Sequence, residues 1–294
     1  MPAWQGKSRG TTFGYRIFVS ILKNFGVVPA YWLLRFVALY FWLFSYKSSR
    51  PLFHYFHDKM GYRKMKSLRM LYTNYYRFGQ TLIDKVVVMA GIRNKFTYHF
   101  DGEENLHKIV ALKKGGLLLS AHLGNWEIAG HLFDRLGTRI NIVMYDGEQR
   151  QIKNYLEQIT GKRKMKIIVI KDDISHIYAI NDAFKNNELV CMHADRFVEG
   201  NKSIAANFLG EPARFPMGPF VLGATFKVPV SYVFAFKETN RHYHLYASEI
   251  KEYQAESKDK ATQKILNDFV WQMEQKVKQY PEQWFNYYNF WQQS

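Results

Sequence analysis

Cysteine is nearly absent from this sequence of 294 residues, in which Cys191 is the one thiol. A single cysteine excludes an intramolecular disulfide and a zinc site built from cysteine pairs. Cys191 lies in an apolar run, which favours a small buried side chain over a nucleophile. It alternates with His193 and Asp195 onto one face of a predicted strand. Because only one soft ligand is available, a metal site on this face is a weaker interpretation than a buried, structural cysteine, and we predict no metal.

Several catalytic and binding signatures are also missing. There is no G-x-S-x-G elbow, which argues against a serine hydrolase of that class. There is no H-E-x-x-H zinc motif and no glycine-rich phosphate loop with a lysine. No nucleic-acid-binding motif is present, and we predict no nucleic-acid partner.

Acidic residues are scarce relative to basic ones: 25 Asp and Glu against 41 Lys and Arg give a net charge of +16. Such a balance favours an anionic partner: a membrane surface, nucleic acid, a phosphorylated lipid or an acidic carrier protein. The basic run over 161–166 is a candidate docking surface for an acidic carrier, although a solvated face is the commoner explanation of such a run.

Long apolar runs are rare as well, and the longest is Val27–Phe44, whose one charged residue is Arg35. A length of about 18 residues is near the minimum for a helix that crosses a bilayer core. Arg35 is costly if it faces lipid, and much less so if the helix lies in the interface or packs on the protein. We therefore predict a membrane-anchoring segment over 1–50, embedded or interfacial, followed by the main domain over 51–294.

The rest of the chain alternates between strand-like and helix-like patterns. Strands are predicted at 98–100, 116–119, 140–145, 166–170, 188–194, 229–236 and 242–250, and helices at 58–90, 103–112, 149–158, 174–186 and 262–279. This order predicts an α/β fold with a mixed central sheet flanked by helices. The Gly- and Pro-rich stretch over 210–219 is predicted to be an irregular loop that lines a substrate site.

The most informative motif follows the apolar run over 116–119, where His122 is separated from Glu127 by four residues. A carboxylate held against Nδ1–H of an imidazole leaves Nε2 free to take a proton from a hydroxyl or amine. The spacing alone is weak evidence, because it also occurs by chance. The preceding strand and the Gly124-Asn125 turn raise its weight.

A second block strengthens this interpretation. It contains Asp195-Arg196 and, in the stretch 208–219, an F-x-G-E-x-x-R-x-P-x-G-P series that includes Arg214. Together the two blocks resemble the bacterial lipid A late acyltransferases, the lauroyl/myristoyl transferase superfamily, which includes the mycobacterial phosphatidylinositol mannoside acyltransferases. The resemblance covers roughly residues 10 to 291.

The resemblance implies a glycerolipid acyltransferase-like fold and an enzyme at the cytoplasmic face of the bacterial inner membrane. Such enzymes move an acyl chain from an acyl carrier protein or coenzyme A thioester to a lipid hydroxyl, with no further cofactor. Carried over by position, His122 and Glu127 form the catalytic dyad. Asn125 or neighbouring backbone N–H groups are candidate oxyanion donors. Asp195, Arg196 and Arg214 are candidates for substrate binding or a structural role.

The acceptor remains open at this point. The proteobacterial members of the superfamily end in a basic, tryptophan-rich stretch, whereas residues 281–291 here keep the aromatic residues without Arg or His. The acceptor is therefore a lipid A precursor, a related glycolipid or an aminoacyl lipid. An alternative from another class is a catalytically silent lipid-binding protein. The presence of both His122 and Glu127 favours the enzyme.

Overall fold

The computed structural model describes residues 20–89, 91–92, 94–129, 133–145, 165–171, 173–196 and 200–292. The predicted helix over 149–158, the residues of the basic run over 161–164 and the N-terminal residues 1–19 lie outside this part of the chain.

The centre of the fold is a sheet that, within the described ranges, has seven strands. These strands are β1 (Thr97–Asp101), β2 (Gly116–Ser120), β3 (Ile140–Tyr145), β4 (Met165–Ile170), β5 (Leu189–His193), β8 (Val230–Lys237) and β9 (His242–Ala247). Their order is β1-β9-β8-β2-β5-β3-β4, and the pairing is parallel except between β8 and β9. This mixed sheet confirms the predicted α/β class.

The helices cover both faces of the sheet. They are α1 (Val27–Phe44), α2 (Tyr46–His54), α3 (Lys64–Met89), α4 (Glu103–Ala111), α5 (Trp126–Ala129), α6 (Ser175–Lys185), α7 (Met217–Phe226) and α8 (Lys258–Gln279). A π-helical turn spans Tyr55–Lys59, and 3₁₀ turns span Phe133–Leu136, Pro281–Gln283 and Phe290–Gln292. The predicted helices and strands that fall on described residues are present with shifted ends. The largest shift is in the helix predicted over 58–90, which begins as an α-helix at Lys64, and α2 and α7 were not predicted.

Strand β2 shows why the sheet forms where the sequence predicts it. Its Leu117, Leu118 and Leu119 are all fully buried, because successive side chains point to opposite faces and both faces are covered. Leu117 and Leu119 belong to the core layer with α7 and α8, and Leu118 to the layer with α4. A continuous apolar run, rather than an alternating one, is what such a central parallel strand requires.

The predicted irregular loop over 210–219 is wrong. The chain forms a separate two-stranded ribbon from β6 (Ser203–Phe208) and β7 (Glu211–Pro216), and then begins α7 at Met217. Leu209 and Gly210 both have positive φ, 52° and 85°, as a tight hairpin turn requires. Proline is tolerated here because each strand of a two-stranded ribbon has an unpaired edge and because the first turn of a helix needs no N–H.

Helix α1 packs one side against α3. It buries Ala30, Tyr31, Leu34 and Ala38, and Gly79 of α3 permits the approach, since a Cβ there would lie 2.2 Å from Leu34 Cδ1. The helix is long and apolar enough to cross a membrane, although only 22% of it is buried. Its other side exposes large apolar residues, namely Trp32, Phe36, Leu39, Tyr40, Leu43 and Phe44.

Candidate active site

The His122 motif lies in a tight loop between the end of β2 and the start of α5. Gly124 makes the loop possible, because its φ is 78° and a Cβ would lie 2.0 Å from the carbonyl oxygen of Ala235. The loop therefore bends sharply against β8 and presents His122 at the carboxyl end of the sheet, where ligand sites of parallel α/β folds commonly lie.

The described partner of the His122 ring is Asp195. Strands β2 and β5 are parallel neighbours in which Ser120 pairs with His193, so the residues that follow each strand meet at one edge. Asp195 Oδ1 lies 2.8 Å from His122 Nδ1, and Oδ2 accepts the His122 backbone N–H at 3.0 Å. A proton on Nδ1 satisfies this contact, which leaves Nε2 as the free basic nitrogen.

Electrostatics keep Asp195 ionised. Burial of this carboxyl, which is 1% exposed, would raise its pKa, but the nearby charge and hydrogen bond of His122, together with Arg196, outweigh burial. The net effect holds the pKa of Asp195 well below its usual range. An ionised carboxylate on Nδ1 stabilises the imidazolium that forms when Nε2 accepts a proton.

A second histidine lies against the first. The rings of His193 and His122 stack with centroids 4.4 Å apart, and the edge of Trp126 contacts His193 at 5.5 Å. Burial, and secondarily the charge of His122, lowers the pKa of His193 to about 3. The His193 side chain is therefore uncharged at physiological pH and packs against one face of the His122 ring. Its Nδ1 is buried and has no hydrogen-bond partner among the described residues.

The predicted dyad of His122 and Glu127 stays a prediction. Glu127 lies in the backbone of α5, but its side chain is outside the described part of the structure. Asp195, for which we expected substrate binding or a structural role, has both oxygens on His122. The structure thus gives Asp195 the orienting position that the sequence suggested for Glu127.

Asn125, which we predicted to contact the substrate, is buried inside the protein. It is 3% exposed, and its Nδ2 faces Tyr243 Oη at 3.3 Å and the Thr81 carbonyl at 3.5 Å. The backbone N–H groups of Asn125 and Gly124 also donate inside the protein, to Ala235 O at 2.7 Å and Gln283 O at 2.9 Å. These expected oxyanion donors are engaged in holding the loop.

The two predicted binding arginines, Arg196 and Arg214, have different contacts. Arg196 donates from Nη2 to the carbonyl of Phe285 and lies near the ring of Tyr288. Arg214 is exposed on the β6–β7 ribbon and donates to Ser203 Oγ at 3.0 Å. Arg196 therefore holds the C-terminal segment beside the site, and the binding role of Arg214 stays a prediction.

The C-terminal aromatic segment is the part of the site that sequence reasoning missed. Trp284 pairs with Leu123 in an isolated antiparallel bridge, and the Phe285 N–H donates to His122 O at 3.1 Å. Trp284 is 1% exposed and packs against Tyr55 at 4.9 Å between centroids. The many aromatic residues over 284–291 were the sequence feature that could have indicated this segment. Trp284, Phe285 and Phe290 are buried in the core.

Gln283 anchors the same segment to the sheet. Its amide accepts from Lys237 N at 2.9 Å and donates to Lys237 O at 3.0 Å, so it completes the end of β8 like a strand neighbour. From the helical side, Asn74 Nδ2 donates to Trp284 O at 2.9 Å. The His122 loop is thus enclosed between β8 and a segment roughly 160 residues further along the chain.

Three side chains of the site are close enough together to be considered as ligands of a metal ion. Ligand atoms of His122, His193 and Asp195 lie within 4.8 Å of one another, a spacing that a metal ion could bridge. However, both Asp195 oxygens already bind His122, and burial raises the pKa of the Cys191 thiol to about 12, so it does not supply a thiolate ligand. The arrangement fits a carboxylate–imidazole pair without requiring a metal.

An apolar cleft begins beside His193. Besides His193, Ser120 and Trp126, its lining consists of Phe100, Ile142, Val143, Met144, Cys191, Met192, Val233, Phe234, Ala235, Leu245 and Tyr246. The cleft is narrow in this conformation, with a volume of about 40 Å³. A long alkyl chain would enter only if flexible side chains such as Met144 moved.

Known proteins similar to this chain are acyltransferases, as the resemblance of the two motif blocks predicted. The family model described as bacterial lipid A biosynthesis acyltransferase matches residues 22–293. The phosphatidylinositol mannoside acyltransferases of Mycobacterium tuberculosis strains ATCC 25618 / H37Rv and CDC 1551 / Oshkosh are each 24% identical over 119 residues, which are 40% of this chain and 37% of each relative. This chain thus matches little more than a third of the length of these curated relatives.

One solved structure that is similar to this chain is the 1-acyl-sn-glycerophosphate (LPA) acyltransferase PlsC from Thermotoga maritima. The TM-score is 0.38 at 12% identity, over 84% of this chain and 97% of that chain. The family model, by contrast, extends through both motif blocks and the C-terminal segment that encloses them. With nearly its whole length matched, this chain belongs to the bacterial lipid A biosynthesis acyltransferase family.

Proposed function

We propose that this enzyme transfers a fatty acyl chain from an acyl carrier protein or coenzyme A thioester to a hydroxyl of a lipid A precursor or a related glycolipid. The observation that carries the proposal is the orientation of His122, whose Nδ1 is held by buried Asp195 while Nε2 is free. The apolar cleft next to His193 supports an acyl donor, because its lining suits an alkyl chain.

The reaction follows from this orientation. The acceptor hydroxyl oxygen attacks the thioester carbonyl carbon as Nε2 of His122 takes the hydroxyl proton. Asp195 stabilises the resulting imidazolium. When the tetrahedral intermediate collapses, the C–S bond breaks and the leaving thiolate recovers the proton from His122. Atoms and charge balance without an oxidant, a metal or a covalent enzyme intermediate. Glu127 remains a candidate for a supporting role in the same site.

The proposed location and partners are supported by the charge of the chain and by α1. The net charge of +16 suits an anionic membrane surface and an acidic carrier protein. The exposed apolar side of α1 suits contact with the bilayer. We place the enzyme at the cytoplasmic face of the inner membrane, where acyl thioesters are available. The similarity to phosphatidylinositol mannoside acyltransferases supports a glycolipid hydroxyl as acceptor.

The test is acyl transfer by the purified full chain in lipid vesicles. Radiolabelled acyl carrier protein and coenzyme A thioesters are each offered a lipid A precursor, a mannosylated phosphatidylinositol and an aminoacyl lipid. His122→Asn is compared with His107→Asn, which changes an exposed histidine on α4. Transfer to a hydroxyl lipid that only His122→Asn abolishes, at unchanged melting temperature, supports the proposal. Transfer that survives His122→Asn, or transfer to no acceptor, overturns it.

A further inference from the structure

A second cavity, of about 400 Å³, opens between α1, α3 and the turn that joins β8 to β9. Its polar and aromatic lining includes Tyr31, Trp32 and Arg35 of α1, Tyr76 of α3, and Asn240 and Arg241 of the turn. It shares no lining residue with the cleft beside His193. The catalytic proposal therefore leaves this cavity unused.

The cavity is positively charged. Arg35 and Arg241 are both exposed, and neither forms an ion pair with any residue that the structure describes. Among the described residues, no carboxylate lines the cavity. Asp84, which Tyr31 reaches with its hydroxyl, is fully buried and neutralised by Lys237. Two unpaired guanidinium groups at the mouth of one cavity are suited to a phosphate, which arginine can bind through two parallel hydrogen bonds.

The cavity also adjoins the apolar side of α1. Trp32 lines the cavity, and the exposed residues Phe36, Tyr40 and Phe44 follow it at four-residue intervals along the same helix. The Arg35 guanidinium lies 4.6 Å from the centre of the Trp32 ring. A lipid whose acyl chains lie along this stripe would bring its headgroup to Arg35. This geometry explains why an apolar helix tolerates an arginine near its middle.

We propose that this cavity binds the phosphate of an anionic phospholipid of the bilayer, with the lipid's acyl chains against the exposed side of α1. Arg35 and Arg241 hold the phosphate, and Trp32 lies at the level of the headgroups. The site seats the protein on the membrane without taking part in acyl transfer. Its test needs neither acyl donor nor acceptor, so it succeeds or fails separately from the proposed reaction.

The experiment is vesicle co-flotation of the full chain, using phosphatidylcholine with and without phosphatidylglycerol. The double variant Arg35→Gln/Arg241→Gln is compared with Lys258→Gln/Lys264→Gln, which removes the same charge from exposed positions of α8. At about 1 kcal/mol, or about fivefold, per basic residue, the arginine variant should lose roughly 30-fold in phosphatidylglycerol-dependent binding. The lysine variant should lose much less, and both should keep the wild-type melting temperature.

Two results would overturn the site. Equal losses in the two variants would mean that diffuse charge, not this cavity, attracts the membrane. Unchanged flotation of the arginine variant, together with binding of inorganic phosphate by the wild type that this variant loses in solution, would point to a soluble phosphate ligand instead of a lipid.

Discussion

Asp195 directs both of its carboxylate oxygens at one residue, His122, and binds its backbone N–H with one and its ring with the other. A single buried side chain thus fixes the position of the loop and the orientation of the imidazole together. The two residues are 73 positions apart and meet because β2 and β5 are neighbours in the sheet. Catalysis and local stability should therefore depend on the same contact.

Replacing Asp195 by asparagine tests this dependence. The amide places an N–H beside Nδ1 and favours the tautomer with the proton on Nε2, which removes the base. Transfer should fall by about 10²- to 10⁴-fold, and the free energy of unfolding should fall by about 1.5–3 kcal/mol with the lost charge-assisted hydrogen bonds. Initial rates and urea unfolding measure the two effects.

The control for this variant is Asp182→Asn, at an exposed position of α6, which should change neither quantity. Glu127→Gln provides the decisive comparison. We expect it to cost less activity than Asp195→Asn. If Glu127→Gln is the more damaging change while both proteins stay folded, then Glu127, and not Asp195, is the carboxylate that orients His122.

His193 should make the protein less stable as the pH is lowered. Its pKa is lowered to about 3 in the folded state, against an ordinary value near 6.5 when unfolded. Between these values the unfolded chain binds more protons than the folded one, so stability declines as pH falls, by at most about 1.4 kcal/mol per pH unit. Asp195 adds to this decline only below about pH 4, where an unfolded Asp begins to take up protons.

The measurement is the melting temperature between pH 7 and pH 4.5 for wild type and His193→Gln. The variant should show a flatter decline, because glutamine has no proton to gain. His107→Gln, on the exposed side of α4, should keep the wild-type profile. Identical slopes for wild type and His193→Gln would show that His193 is charged, or accessible, in the folded protein.

The buried pair of Asp84 and Lys237 should show strong coupling. Both side chains are fully buried, and Tyr31 and Tyr243 also donate to Asp84. Lys237→Met leaves a buried carboxylate without its cation and should cost about 3–5 kcal/mol. The double variant Asp84→Asn/Lys237→Met should recover most of that loss, because the neutral amide no longer needs a counter-charge.

Urea unfolding of the two single variants and the double variant closes the thermodynamic cycle. Additive losses, with no recovery in the double variant, would mean that the pair is solvated and not buried. Since Tyr31 belongs to α1, the same variants can be examined for limited proteolysis within α1. We expect Lys237→Met to increase cleavage there and the double variant to restore protection.

Cys191 should be chemically silent in the native enzyme. The side chain is buried, and burial raises the pKa of the thiol to about 12, so almost no thiolate exists near neutral pH. N-ethylmaleimide at pH 7.5 should leave acyl transfer unchanged and label the chain only in denaturant, as mass spectrometry would show. Cys191→Ala should remain active. Rapid inactivation of wild type but not of Cys191→Ala would show that the cleft opens to solvent.

Local pattern was enough for much of this protein. The apolar run of β2, the periodicity of the long helices and the 18-residue apolar stretch of α1 each depend on near neighbours in the chain. The structure confirms the strand and the helices, while the membrane-anchoring role of α1 stays a prediction. The two motif blocks were enough to indicate the family. The stretch over 210–219 was misjudged, because glycine and proline counts do not reveal whether a strand has a free edge, and β6, α2 and α7 were not predicted.

The sequence by itself determined the strands of the central sheet, the long helices, the family and His122 as the candidate base. Only the tertiary structure decided which groups surround that base. Strand order brings Asp195 to His122, and the chain returns at Gln283 and Trp284 to enclose the loop. These contacts join residues far apart in the chain, and no local periodicity encodes them, because they depend on how the sheet orders its strands and on which apolar faces must be covered.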